Sequence, residues 1–191
     1  MHAALEGTRV LDFTRHMAGP YGTLLLGDFG ADVIKIESMP HGDPTRTMGT
    51  GFVDGVSGLF LVWNRSKRSL ALDMRKPEAA EIVRRLVAHA DLFVENFRPG
   101  VADEMGLGYA AMSAINARLV YLSISAFGPH GPYAQFPGTD PVVQAISGFA
   151  DSQADAKTGE PRLIQTIACD KVTAITAAQA ITAALFARAR G

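Results

Sequence analysis

The chain has little of several residues on which common protein functions depend. It contains one cysteine and five histidines among 191 residues. A single cysteine excludes a disulfide within the chain, and it excludes the paired Cys-x-x-Cys motifs of zinc sites. The histidines never pair at the spacing of metal ligands on one helix. We therefore expect no metal site.

An excess of charge of either sign is also missing. Eighteen basic and 19 acidic residues leave a net charge of −1, so no overall field favours nucleic acid or an anionic membrane as a partner. The N-terminal segment "MHAALEGTRVLDF" has no charged-then-apolar signal peptide pattern, which predicts a cytoplasmic protein. The longest apolar stretch, residues 172–187, is shorter than the roughly 20 residues that a bilayer requires, so we predict a buried helix there.

Two segments have the glycine spacing of a nucleotide-binding motif but lack its structural context. The segments "GTGFVDG" (49–55) and "GLGYAA" (106–111) contain suitably spaced glycines, but neither directly follows a predicted strand. Without a strand–turn–helix context these glycines have no phosphate to approach, so we expect no NAD site. A Walker A motif and a G-x-S-x-G motif are absent as well.

Short runs rich in β-branched and aromatic residues do recur along the chain. The predicted strands are "RVLDF" (9–13), "DVIKIE" (32–37), "SLALDM" (69–74, the weakest), "DLFVEN" (91–96) and "LVYLSIS" (119–125). Segments with helical spacing separate several of them, notably residues 19–30 and 77–90, where Pro77 suits a first helical position. Alternating strands and helices predict an α/β fold, a Rossmann-like parallel sheet with flanking helices.

In a sheet of this kind ligands bind at the carboxyl ends of the strands, so the loop at residues 14–18 after the first strand is a candidate site. Two Gly- and Pro-rich stretches, 38–58 and 126–141, are too long for simple connections. We expect them to be functional loops.

The segment "IACDKVTA" (167–174) places a carboxylate, Asp170, at the start of a long apolar helix. Two interpretations are open, an N-cap and a nucleophile. The helix macrodipole and free N–H groups would favour the ionised form of a carboxylate there. Cys169 could be a thiolate at the same position, although a small buried hydrophobic residue is the simpler interpretation. Lys171 is expected to face solvent or a neighbouring acid.

Several segments, read together and in order, resemble a known family. They are "GTRVLDFTRHMAGPYGTLLLGDFGADVIKIE", "GDPTR", "NRSKRSLALDM", "ADLFVENFRPGVADEMGLGY", "INARLVYLSISAFGPHGPYAQFPGTD" and "QAISG". The set resembles the class III coenzyme A transferases, which include formyl-CoA transferase, carnitine CoA-transferase and the 2-methylacyl-CoA racemases. Family members are about twice this length, so the resemblance implies that residues 1–191 are the N-terminal part of the large Rossmann-like CoA-binding domain. The small domain and the C-terminal return to the large domain would then be absent.

The resemblance implies that Asp170 attacks an acyl-CoA, and that an aspartyl anhydride and an enzyme–CoA thioester follow. The substrates would be an acyl-CoA and a carboxylate acceptor, and the full-length protein would be an interlocked homodimer. The implied CoA contacts are His16, Met17, Ala18, Leu72, Asp73, Met74, Arg75, Asn96, Phe97 and Arg98. Arg75 and Arg98 are the candidates for phosphate or adenine contacts. Solvated surface arginines are the alternative.

Several positions differ from the family or are candidate substrate contacts. Relatives often have a basic residue where this chain has Glu104, and some have one at Pro137, which implies fewer charges on CoA here. Thr139 and Asp140 are candidate substrate contacts, and Asp140 is alternatively a cap for the helix that follows. Racemase relatives have a histidine at the position of Thr139, so a transferase is favoured over a racemase. A truncated, non-catalytic CoA-binding subunit is the other alternative.

Overall fold

All five predicted strands form, and they belong to one sheet. A computed structural model describes residues 2–191. In chain order the elements are β1 (Arg9–Asp12), α1 (Ala18–Asp28), β2 (Asp32–Ser38), a 3₁₀ turn (Pro44–Thr47), β3 (Phe52–Val53), β4 (Val56–Ser57), α2 (Gly58–Asn64), β5 (Arg68–Leu72), α3 (Pro77–Val87), β6 (Leu92–Glu95), α4 (Val101–Glu104), α5 (Tyr109–Ile115), β7 (Val120–Ser123), α6 (Asp140–Ile146), α7 (Phe149–Ser152) and α8 (Ala168–Ala189).

The sheet order is β5-β2-β1-β6-β7, with every neighbouring pair parallel. Val10 of β1 lies beside Val33 on one side and Leu92 on the other. From β1 the chain first builds the β2 and β5 side and then crosses to β6 and β7. The switch point, where an open α/β sheet binds its ligands, therefore lies between β1 and β6. The predicted Rossmann-like α/β fold is confirmed.

Alternating strand residues supply a hydrophobic core to each face of the sheet. Val10, Val33 and Leu92 face α1 and α8, where Leu26, Ile181 and Leu185 complete the cluster. Their sequence neighbours Leu11, Ile34 and Phe93 face the opposite side, where α3 and α5 contribute Val83, Val87 and Met112. Apolar strands buried on both faces are the rule for parallel sheets.

The helices α1 and α8 approach each other closely at Gly22. A Cβ atom at this position would lie 3.2 Å from the carbonyl oxygen of Ala174. Because Ala174 is the first fully buried residue of α8, this contact determines where the N-terminal end of α8 lies against α1. Gly22 thus helps to set the position of the turn that carries Asp170.

The predicted buried helix at 172–187 exists, but it is longer and less buried than expected. Helix α8 has 22 residues, and it buries one side through Ala174, Ala177, Ile181 and Leu185. Val172, Ile175 and Phe186, on its other side, are exposed. By length and composition alone α8 could cross a membrane. Its contribution of Ile181 and Leu185 to the core identifies it as a helix of the α/β domain.

The other predicted helices are confirmed with smaller differences. Helix α1 begins one residue earlier than predicted, and α3 ends at Val87 rather than at residue 90. Ile82 of α3 is 40% exposed, because Ala79, Val83 and Val87 are the buried residues of this helix. The first long loop contains the 3₁₀ turn and the β3–β4 hairpin. Residues 126–139 contain neither helix nor strand.

Two buried ion pairs lie beneath the carboxyl ends of β1 and β2. Lys67 Nζ is 2.9 Å from Asp12 Oδ2, and Lys35 Nζ is 2.8 Å from Asp43 Oδ2. All four side chains are at most 2% exposed. Lys67 Nζ also donates to the carbonyl oxygen of Pro20 and to Asn64 Oδ1, each at 2.9 Å. The charges are thus removed from water together with their hydrogen-bond partners, the condition under which a buried pair is tolerated.

Burial by itself would raise the pKa of the Asp12 carboxyl. The positive charges of Lys67 and Lys35, together with hydrogen bonds from Thr14 and Thr23, outweigh burial and hold this pKa well below its usual range. Asp12 is therefore ionised at neutral pH, and the stability that it contributes depends on its cationic partners.

Removal of Lys67 should destabilise the protein strongly, because Asp12 would remain charged and buried without its ion-pair partner. We expect Lys67→Met to lower the free energy of unfolding by about 3–5 kcal/mol. The matched control is Arg65→Met, which breaks the exposed Arg65–Asp28 pair and should cost less than about 1 kcal/mol. Urea unfolding followed by circular dichroism measures both. Equal losses in the two variants would contradict the importance of the buried pair.

Candidate active site

The predicted CoA contacts end or follow three parallel strands and therefore lie at the same edge of the sheet. Met17 and Ala18 come after β1, Leu72 to Arg75 end and follow β5, and Asn96 to Arg98 follow β6. Asp140 and Asp170 lie outside the sheet, in the first turns of α6 and α8. The fold thus brings together segments that are up to about 150 residues apart in the sequence.

The buried ion pairs hold the loop after β1. Asp12 Oδ1 accepts the backbone N–H of Thr14 at 2.9 Å, and Lys35 Nζ donates to the Thr14 carbonyl oxygen at 2.8 Å. Further along, the His16 N–H donates to Asp43 Oδ1 at 3.4 Å. His16 has a φ of 64°, a left-handed conformation that costs a non-glycine residue on the order of 1 kcal/mol. The side chain of His16 is exposed, so its contacts are available to a ligand.

Met17 and Ala18 form the turn from this loop into α1. Met17 occupies the N-cap position without a side-chain cap, and Ala18 is the first helical residue. Both are partly exposed. They can offer a ligand little beyond backbone groups and a flexible thioether side chain.

Asn96 and Phe97 tie the loop after β6 to the loop after β1. Asn96 Oδ1 accepts the Arg15 N–H and Asn96 Nδ2 donates to the Arg15 carbonyl oxygen, both at 2.8 Å. The Arg15 guanidinium lies over the Phe97 ring, 5.3 Å from its centre. The amide of Asn96 is thus occupied by the protein itself, across the switch point of the sheet.

The segment after β5 contains a second local pair. Leu72 is buried, and Met74 packs partly against the core. Asp73 accepts from Arg75 Nε at 2.7 Å and from Arg75 Nη2 at 2.9 Å. Hydrogen bonds from Arg75 lower the pKa of Asp73. Arg75 is exposed, but its guanidinium is already occupied by a carboxylate.

Arg98 differs from Arg75 in this respect. Within residues 2–191 its exposed guanidinium has no hydrogen bond or ion pair. It lines a cavity of about 880 Å³ between the carboxyl ends of β6 and β7 and the first half of α8. Burial raises the pKa values of Glu95 and Tyr121, which also line this cavity. Of the two arginines expected to contact phosphate, Arg98 is the one free to do so.

Asp170 lies inside α8 rather than before it. The helix begins at Ala168 with Ile167 in the N-cap position, so Asp170 is its third residue. The N-cap interpretation of Asp170 is therefore wrong, because Ile167 occupies the N-cap position. The carboxylate is half-buried, and within the described part of the chain neither of its oxygens accepts a hydrogen bond.

Asp140 provides the cap that Asp170 does not. The Asp170 backbone N–H donates to Asp140 Oδ1 at 3.0 Å, although the two residues are 30 apart in sequence. Gln144 Nε2 donates to the other oxygen, Asp140 Oδ2. Asp140 is 6% exposed and belongs to the first turn of α6. Its carboxylate therefore holds the start of α8. Asp140 does not occupy the N-cap position of its own helix, and its side chain is buried.

The pKa of Asp170 is raised above its ordinary value. Burial is the largest cause, the negative charge of Asp140 adds to it, and the positive charge of His16 opposes it. The sequence led us to expect that the helix N-terminus would dominate and favour the anion. Burial and the neighbouring Asp140 carboxylate instead raise the pKa of Asp170. His16 and Asp140 are thus the two charged neighbours of Asp170 from other parts of the fold.

The remaining candidates near Asp170 have clear positions. Burial, Asp140 and Asp170 raise the pKa of the Cys169 thiol, which disfavours a reactive thiolate. Lys171 Nζ donates to Thr166 Oγ1 at 2.8 Å rather than to an acid. Thr139 is exposed in the N-cap position of α6 and makes no side-chain cap hydrogen bond.

Two features of the site were not predicted. The sequence did indicate the buried ion pairs, since Asp12 and Lys35 are charged residues within otherwise apolar strands. Gln144 left a weaker signal, as a polar residue in the short apolar helix α6. It is 1% exposed, and its importance arises from partners up to 22 residues away.

The raised pKa of Asp170 has a consequence for stability. A carboxyl with a higher pKa in the folded state binds protons more tightly when folded, so stability falls as pH rises from 3.8 through the folded pKa. We expect Asp170→Asn to raise the urea midpoint at pH 7.5, with the gain disappearing near pH 4. Glu160→Gln, at an exposed position, should leave the urea midpoint unchanged both at pH 7.5 and near pH 4. An Asp170→Asn variant that is less stable than wild type at pH 7.5 would contradict a raised pKa of Asp170.

Known proteins resemble this chain in sequence and in fold. The model of CoA-transferase family III matches residues 5–191. The chain is 41% identical to succinyl-CoA:glutarate CoA-transferase of Mus musculus, over 97% of this chain and 42% of that protein. It is 40% identical to succinate–glutarate CoA-transferase of Agrobacterium fabrum (strain C58), over 95% of this chain and 46% of that protein.

A crystal structure of a CaiB/BaiF family protein from Brucella suis has a similar fold. It superimposes with a TM-score of 0.92 at 42% identity, over 100% of this chain and 51% of that one. The chain thus spans about half the length of these relatives. The family model covers nearly all of the sequence, and the sheet, the loops and α8 superimpose on a family structure. The chain therefore belongs to CoA-transferase family III.

Proposed function

We propose that this protein is an acyl-CoA:carboxylate CoA-transferase that uses Asp170 as its nucleophile. The observation that carries the proposal is the difference between two neighbouring carboxylates. Both oxygens of Asp140 are occupied, by the Asp170 N–H and by Gln144, whereas those of Asp170 have no partner among residues 2–191. A carboxylate with free lone pairs, half-buried beside a helix N-terminus, is suited to attack a thioester carbonyl.

The reaction proceeds through four exchanges at Asp170. Its carboxylate attacks the acyl-CoA carbonyl, which forms a mixed anhydride and releases the CoA thiolate. The thiolate attacks the aspartyl carbonyl of the anhydride, which forms an enzyme–CoA thioester and releases the donor carboxylate. The acceptor carboxylate then displaces the thiolate through a second anhydride. Attack by the thiolate on the acceptor acyl group completes the transfer and frees Asp170.

The environment of Asp170 suits this sequence. A raised pKa makes a carboxylate a stronger base and a more reactive nucleophile once it is ionised. His16, in the loop after β1, is a second ionisable neighbour of Asp170, and a positive charge on it favours the ionised carboxylate. Asp170 lies in the first turn of α8. The partial positive charge of a helix N-terminus favours negative charge that develops on nearby oxygens.

The proposal extends to CoA and to the assembly. The segments after β1, β5 and β6 would hold CoA, with Arg98 as the free cation for its phosphates. We further propose that residues 1–191 act as the N-terminal part of the large domain, within a cytoplasmic, interlocked homodimer. The two relatives named for succinyl-CoA or succinate and glutarate make dicarboxylates the first acceptors to test. Racemisation is less well supported because Thr139 supplies no acid or base.

The mechanism predicts a covalent intermediate on Asp170. Full-length protein incubated with succinyl-CoA should carry CoA on this residue, and borohydride or hydroxylamine should convert the thioester into a stable mark that peptide mass spectrometry locates. Asp170→Asn should lose the mark and lower kcat by at least about 10³-fold, because the amide cannot form the anhydride.

A matched control is Asp151→Asn, an exposed carboxylate in the first turn of α7. It should retain both the mark on Asp170 and the activity. Measurable transfer by wild-type protein with an unmodified Asp170 would exclude the proposed nucleophile. CoA binding without any transfer or mark, across a panel of acyl donors and acceptors, would favour the non-catalytic CoA-binding subunit.

The two exposed arginines should differ in their contribution to CoA binding. Arg98→Met removes an unpaired cation, and we expect it to raise KM for the acyl-CoA by about 10–100-fold, the loss of one charge-assisted contact. Arg75→Met should have a smaller effect, because Arg75 is already paired with Asp73. Arg84→Met, on the exposed surface of α3, is the control. The same KM in all three variants would exclude Arg98 as a phosphate contact.

A further inference from the structure

Gln144 is a buried polar residue that the proposed reaction does not use directly. It lies in α6 and is 1% exposed. An amide removed from water in this way costs free energy unless both of its ends are hydrogen-bonded. Its partners therefore show what the residue is retained to hold.

The amide of Gln144 makes hydrogen bonds to three residues in two parts of the site. Its Nε2 donates to Asp140 Oδ2 and, at 3.3 Å, to the carbonyl oxygen of Thr166. Its Oε1 accepts the Ile164 N–H at 2.9 Å. Ile164 and Thr166 belong to the segment before α8, which has no regular secondary structure. One side chain thus joins α6 to the segment that enters α8.

These contacts reach the nucleophile through Asp140. With Oδ2 held by Gln144, the carboxylate of Asp140 is oriented so that Oδ1 accepts the Asp170 N–H at 3.0 Å. Helix α8 has no side-chain cap of its own at Ile167. The direction of its first turn, and with it the direction of the Asp170 carboxylate, consequently depends on this path from Gln144.

We propose that Gln144 is a positioning residue for the nucleophile, which orients the Asp140 carboxylate and the entry to α8 so that Asp170 faces the thioester. This inference rests on the proposed transferase function. Gln144 acts through Asp140 and does not touch substrate. Its loss should therefore lower kcat while KM for the acyl-CoA stays nearly constant.

Two substitutions of similar size separate positioning from simple packing. Gln144→Met fills the same volume but removes all three hydrogen bonds. Gln144→Glu keeps the shape, and when its carboxyl is protonated it can donate to Asp140 and accept from Ile164. When ionised, it places a second negative charge against Asp140. The charged or titratable groups around this point are Asp140 from α6, Cys169, Asp170 and Lys171 from α8, and His16 from the loop after β1.

The experiment measures kcat and KM of the full-length protein between pH 5.5 and pH 8.5. We expect Gln144→Met to lower kcat by about 10–100-fold at every pH, with KM changed less than about 2-fold, as for a misplaced catalytic group. The kcat of Gln144→Glu, divided by that of wild type at the same pH, should rise at least about 10-fold as pH falls from 8.5 to 5.5. Gln179→Met and Gln179→Glu, at an exposed position on α8, should match wild type.

The outcomes are distinct. A kcat of Gln144→Met equal to that of wild type would overturn the positioning role. Equal, pH-independent losses of kcat in the two Gln144 variants would overturn it as well. In both cases transfer by the wild type would leave the proposed function intact. If Gln144→Met does not fold, the pH-dependent ratio of Gln144→Glu, with circular dichroism at each pH, decides alone. Absence of transfer and of a mark on Asp170 in the wild type would overturn the proposed function and this inference with it.

Discussion

The structure depends on the buried pairing of Asp12 with Lys67, reinforced by the pairing of Lys35 with Asp43. Asp12 ends the central strand, and Lys67 immediately precedes the edge strand β5. Because a charge without a partner is very unfavourable in this interior, each member requires the others in place. The network ends at Thr14 and His16, so the rigidity of the sheet extends into the loop that faces Asp170. Stability and site geometry are in this way produced by the same contacts.

The candidate active site combines a rigid half with a half assembled from distant segments. The loops after β1, β5 and β6 inherit their positions from neighbouring parallel strands, and Asn96 locks two of them together through Arg15. Asp170 instead depends on α8, on the close contact at Gly22 and on the cap from Asp140. The Asp140 carboxylate accepts the backbone N–H of Asp170, which orients the first turn of α8. Burial, together with the negative charge of Asp140, raises the pKa of Asp170.

Much of the fold could be predicted, because it follows from local pattern. Runs such as "DVIKIE" and "DLFVEN" are apolar enough to be buried on both faces, and the helices between them require parallel pairing. The position of Asp170 at the start of a long helix was similarly readable. The hydrogen-bond and ion-pair partners of each polar side chain could not be predicted, because these partners are distant in sequence. The sequence does not distinguish Arg75 from Arg98, yet Arg75 is paired with Asp73, whereas the Arg98 side chain has no partner in the described part of the chain.

The sequence by itself determined the α/β class, the order of strands and helices, and the set of segments that lie at the carboxyl edge of the sheet. These features depend on hydrophobic periodicity, which each segment carries within itself. The tertiary structure alone decided that Asp140 caps α8, that Gln144 holds Asp140, and that the oxygens of Asp170 accept no hydrogen bond from residues 2–191. The physical reason is that hydrogen bonding and burial of a charged group are properties of the surroundings, and those surroundings exist only when distant segments meet.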